Sequence, residues 1–267
     1  GQGSLSDQNP ATAVDMFNIG VGFNAGASVS TGIVNTLIGG IAGDALNTGQ
    51  ENVALGYSAL STDTKGNHTT AIGKDALFSQ NFTTATDSFN TAVGFSAGLA
   101  VTTGIQNTII GGIAGDALTD ADANVAVGYG ALTSDTLGSK SVSIGQFTLA
   151  DQNFTTATDS FNTAVGYQAG ANVATGTSNT FVGALAGDAT DDGVQNVAVG
   201  VLALSANCGN ANTAIGPEAL TACTGANNTA LGKDAGGSNT GGGNNLYLGF
   251  QSGISGSPGG NNTDGNS

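Results

Sequence analysis

The chain has 267 residues, of which 45 are Gly and three are Pro, and 39% are hydrophobic. Gly at this frequency without a three-residue period excludes a collagen helix, and the apolar share excludes a disordered Gly-rich linker. Four Lys (Lys65, Lys74, Lys140, Lys233), no Arg and a net charge of −15 exclude nucleic-acid binding, because a phosphate backbone would be repelled.

No apolar run approaches the roughly 20 residues of a membrane span, and no charged-then-apolar leader opens the chain at Gly1. A processed chain without membrane insertion is therefore expected. Residues 1–17 read as an N-terminal segment in which Pro10–Phe17 is a degenerate copy of an insertion met twice further on. From 18 to 253 one motif repeats, Asn-Thr-Ala-Val-Gly-x-x-Ala-(Gly or Leu). Its central Gly stands at 22, 39, 56, 73, 94, 111, 128, 145, 166, 183, 200, 216, 232 and 249, in steps of 16 or 17 with two of 21. The expected fold is all-β: a single-chain parallel β-solenoid (β-roll) of about 14 rungs.

Within each rung a short strand is expected to end at the Gly, where the backbone turns. One residue before the Gly stands Val, Ile or Leu in every rung, from Val21 to Leu248, and that column is expected to be the buried aliphatic stack. Three before it comes a Thr, Val, Ile or Leu column, on the same side by alternation. The opposite-facing column, two before the Gly, is mostly Ala (Ala54, Ala92, Ala126, Ala164, Ala198), broken by Leu37, Ile109, Phe181 and Tyr247. Its small side chains suit close approach of a second chain. Asn stands four before the Gly except at Thr69 and Ser141, which permits an amide ladder along the axis.

Four residues after the Gly the sequence runs Gly, Gly, Leu, Leu, so the larger unit is four rungs and 72 residues long. Each 21-residue step carries four extra residues, within 82–89 and 154–161. These segments should bulge from the wall and offer Phe82, Asp87, Phe89, Phe154, Asp159 and Phe161 to a partner. Cys208 and Cys223 follow their glycines by eight and seven residues and sit on neighbouring coils. At about 4.8 Å between coils they are spaced for a disulfide, which would imply an oxidising compartment. Residues 254–267 close the chain as a polar Gly/Asn-rich tail, and neither terminus looks like a cap.

The motif, as in Asn162-Thr-Ala-Val-Gly-Tyr-Gln-Ala169 and Asn212-Thr-Ala-Ile-Gly-Pro-Glu-Ala219, resembles the head repeats of trimeric autotransporter adhesins and repeats of phage tail fibres. The resemblance implies a left-handed β-roll packed as a trimer. The rungs here are longer than is usual in such heads, and no coiled-coil stalk follows.

Chemistry is sparse. His68, the only His, lies in a turn without an oriented partner evident from sequence, and no activated nucleophile can be picked out. Asp120 with Asp122 and Asp191 with Asp192 are carboxylate pairs in polar turns without an aromatic cleft, so no catalytic residue and no enzyme is expected. No cofactor is expected either; Ca²⁺ could bind those turns, but no EF-hand or Gly-Gly-x-Gly-x-Asp spacing supports it. Asp44, Asp116 and Asp188 recur with the repeat itself, and sequons occur at Asn67, Asn81, Asn153, Asn227 and Asn261.

The leading expectation is a non-enzymatic subunit of an extracellular filament, partnered by copies of itself through ends and flanks. The alternative is an adhesin or tail-fibre domain at a cell or virion surface, using the bulges and Phe23, Tyr57, Phe95, Tyr129 and Tyr167 to contact a receptor or glycan. An ice-binding solenoid is set aside because its Thr column is broken by Val53, Val125, Val142 and Val197 and is expected to face the core.

Overall fold

The computed structural model describes residues 1–254, so the tail beyond Ile254 and the sequon at Asn261 lie outside the described residues. Every regular element is a β-strand, and the chain is a parallel β-solenoid of fourteen turns. It divides into two compact units, Gly1–Leu137 and Gly138–Ser267.

In the first unit seven three-residue strands stack in parallel in chain order: Ile19–Val21, Thr36–Ile38, Val53–Leu55, Thr70–Ile72, Thr91–Val93, Thr108–Ile110 and Val125–Val127. The second repeats this with Val142–Ile144, Thr163–Val165, Thr180–Val182, Val197–Val199, Thr213–Ile215, Thr229–Leu231 and Leu246–Leu248. The register holds every column in line, Leu37 opposite Ala54 and Ala54 opposite Ala71. Residues 1–9 stack beneath the first strand as part of a further coil, with Leu5 N–H donating to Ala25 and Asp7 N–H to Ala27.

The strand turns at its Gly because nothing larger fits. Gly39 has φ +140, and a Cβ there would lie 2.2 Å from the carbonyl oxygen of Gly56 in the next coil.

The two faces of the strand are the reverse of the sequence expectation. The mostly-Ala column points inward and is fully buried, Ala54, Ala92, Ala126, Ala164 and Ala198 included. It therefore cannot be the contact surface for a second chain. The aliphatic column before the Gly points outward, where Val21, Leu55, Ile110, Val199 and Ile215 are exposed. The reason is width: each coil also sends inward a small residue three after the Gly, Ala in all but two coils, and a residue four after it, so the interior has room for few large side chains.

That shared interior explains the 72-residue unit. Where the position four after the Gly is Leu, as at Leu60 and Leu77, the strand contributes only a small residue, Ala54 and Ala71 in these coils and Ser143 in that of Leu149. Where that position is Gly, a large residue from the strand of the same coil or of the next one fills the space: a Cβ at Gly43 would meet Leu37 of its own coil at 2.8 Å, and one at Gly26 would meet Leu37 of the next coil at 2.6 Å. Leu60 and Leu77 keep the left-handed backbone of their Gly counterparts, with φ 52 and 48. That costs about 1–2 kcal/mol, which burying a Leu, worth roughly 1.5–3 kcal/mol, offsets.

The Asn column is buried and reaches along the axis. Asn107 Oδ1 accepts the backbone N–H of Asn124 at 2.9 Å, while its Nδ2 donates to the Ala121 carbonyl at 2.8 Å. Asn35, Asn52, Asn179 and Asn228 make the same clasp. Side-chain amides thus satisfy backbone groups at turns that no strand ladder covers.

Candidate functional site

The outward side of the strands is a uniform surface in each unit. Both of its columns consist of Thr and aliphatic residues, and no strand of either unit places a charge on it. In the first unit seven strands, about 4.8 Å apart and three residues wide, give on the order of 300 Å². Patches of this size on monomers commonly mark contacts. The Thr column that was expected to face the core lies on this face (Thr36, Thr70, Thr91 and Thr108), so its expected direction no longer counts against ice binding, while its interruption by Val53 and Val125 still does.

Rings flank the face. Phe23, Tyr57, Phe95 and Tyr129, on alternate coils, are exposed and follow their turn glycines. Tyr57 lies over Gly40, whose Cβ, if present, would be 3.3 Å from the ring. Lys74 Nζ stands 5.2 Å from the centre of the Phe95 ring, a cation–π distance.

The two inserted segments are built alike. Each forms a short parallel pairing with the coil before it, Gly66–Asn67 with Thr86–Asp87 and Gly138–Ser139 with Thr158–Asp159. Phe82 and Phe154 turn inward and are buried, a correction to their expected role on the surface: the extra residues widen the coil, and these rings fill the space. Asp87, Phe89, Asp159 and Phe161 remain outside.

On each exposed Asp–Phe pair sits a side chain from the preceding coil, Lys140 or His68. Lys140 Nζ is 2.5 Å from Asp159 Oδ2 and 5.4 Å from the Phe161 ring centre. His68 stacks on Phe89 at 5.1 Å, with Nε2 3.3 Å from Glu51 and Nδ1 3.2 Å from Asp87, the latter off the hydrogen-bond direction. His68 is thus the counterpart of Lys140 and holds the bulge to the wall.

The remaining candidates are dispersed. Asp120 accepts from Thr103 Oγ1 at 2.5 Å and Asp122 from the Ile105 N–H at 2.8 Å, which makes both turn clasps. Burial pushes the Asp44 and Asp188 carboxyls above their usual range, while Asp116 accepts from Thr133 Oγ1 at 2.6 Å. Among the described residues no group of three or more His, Cys, Asp or Glu is placed to hold a metal, and no helix is long and apolar enough to cross a membrane.

Cys208 and Cys223 are two buried free thiols, not the expected disulfide. They turn to opposite neighbours: Cys208 Sγ is 3.2 Å from Thr190 Oγ1, and Cys223 Sγ is 3.3 Å from Asn228 Nδ2. Both belong to an inward column that sequence reading missed. Seven residues after the Gly it runs Val29, Leu46, Asp63, Gln80, Val101, Leu118, Asp135, and all are buried. Its signal was the recurrence of Asp63 and Gln80 as Asp135 and Gln152.

Comparison of the chain with protein-family models, curated proteins and solved structures finds no match.

Proposed function

We propose that the chain is a non-enzymatic structural module of an extracellular fibre, associating with further copies of itself through the outward sheet face. The observation that carries this reading is the uncharged, aliphatic face on a chain of net charge −15. A lone soluble chain would expose Leu55 and Ile110 to water at a cost of about 25 cal/mol for each Å² of apolar surface. The same face on a second copy offers matching columns at matching spacing.

Light scattering at micromolar concentration tests it, with a mass well above 25.7 kDa expected for the unaltered chain. Leu55→Lys with Ile110→Lys should return the chain to monomer while its β-rich spectrum persists. A monodisperse monomer before substitution overturns the reading.

A second reading, an adhesin or tail-fibre domain, is favoured by the exposed Phe89 and Phe161 on the two bulges and by the motif's resemblance to such heads. Ice binding fits less well, because Val53 and Val125 interrupt the Thr column and its companion column carries no hydroxyl.

A further inference from the structure

Beside each insertion the buried polar column departs from the Asn clasp. In the first unit Thr69 replaces Asn, and its Oγ1 is 2.7 Å from Ser88 Oγ and 3.0 Å from Gln80 Nε2. The same Nε2 donates to Asp63 Oδ2 at 2.7 Å, and Gln80 Oε1 accepts from Asn90 Nδ2 at 2.8 Å. All five side chains belong to buried residues. The second unit repeats the arrangement with Ser141, Ser160, Gln152 and Asn162: Gln152 Nε2 donates to Ser141 Oγ at 2.9 Å, and Asn162 Nδ2 to Gln152 Oε1 at 2.8 Å. Each set places a hydroxyl against a carboxamide, a donor on the carboxamide oxygen and a second hydroxyl behind the first, away from water.

We propose that these are sites of self-modification, in which Thr69 is joined to Gln80, and Ser141 to Gln152, by an intramolecular ester bond. A rotation of the Gln80 side chain about its Cβ–Cγ bond brings Cδ to Thr69 Oγ1, which now lies 3.0 Å from Nε2. The Oγ1–Cδ bond forms and the Cδ–Nε2 bond breaks. The hydroxyl proton ends on Nε2, which leaves as ammonia, so acyl transfer balances without oxidant, reductant or cofactor. Asn90 Nδ2 stabilises the negative charge that develops on Oε1. The Asp63 carboxylate, 2.7 Å from Nε2, holds the leaving nitrogen in place as it takes up the hydroxyl proton. Exclusion of water then protects the ester from hydrolysis.

The first part of the chain supplies a control. Gln8 occupies the position 72 residues before Gln80, but its Nε2 is buried without a hydrogen-bond partner. No hydroxyl lies against it, and no ester is expected there.

The test is the intact mass of the purified, denatured full chain. Two esters lower it by the mass of two ammonia molecules, and proteolysis should yield linked peptides containing Thr69 with Gln80 and Ser141 with Gln152, separable by hydroxylamine. Thr69→Val should restore one ammonia mass and Ser141→Ala the other. A full-length mass with both carboxamides intact overturns the proposal whether or not the variants fold. So does a deficit that persists in the double variant.

Discussion

Burial pushes the Cys208 thiol up to about 11, with the neighbouring Cys223 raising it further and the Thr190 hydroxyl bond opposing the rise. The folded chain thus holds this proton more tightly than an unfolded thiol at 9.0. Its contribution is complete below pH 9 and disappears as the pH climbs toward 11. Thermal melts across that window should show falling stability, with a smaller fall in Cys208→Ala; an equal fall in both would place the cause elsewhere. The cysteines also show where residue-level reading ran out. Their proximity on adjacent coils was legible from spacing, but the direction of each sulphur was not, because it depends on Thr190 and Asn228, which come from other coils. The inversion of the two strand faces has a similar origin. Bulk alone favoured the aliphatic column as core, yet the deciding residues were Leu37, Ile109, Phe181 and Tyr247, which sit opposite Gly rather than Leu in the turn.

At the scale of the coil, the Asn clasp replaces a strand ladder where the chain turns. Asn107→Ala would leave the Asn124 N–H and the Ala121 carbonyl without their side-chain partners. At about 1–3 kcal/mol for each buried unsatisfied group, the loss should be about 3 kcal/mol or more in denaturant unfolding. A change below 1 kcal/mol would mean that water replaces the amide. Coil length, strand position and the ladder were legible because they repeat in every coil. The insertions were legible as places but not as surfaces: nothing in their spacing distinguishes Phe82, which enters the core, from Phe89, which meets His68 outside.

For the molecule as a whole, the uncharged sheet face is set against a net charge of −15. Copies repel one another at low salt, and the repulsion is screened within about 10 Å at 0.1 M ionic strength. Assembly through the face should therefore strengthen as salt is raised, read as increasing mass by light scattering; weakening would point to ion pairs as the contacts. Repetition made the solenoid itself legible, whereas no residue type reports which side of a three-residue strand faces water. The clasp has one further consequence. The clasp itself reaches forward: Asn18 takes the N–H of Asn35 and gives to Gly32, and Asn35 in turn gives to Gly49. During synthesis from the N-terminus, each coil therefore waits for the next to emerge before its clasp can close. Closure of the clasps during synthesis is then expected to trail the emerging chain by one coil.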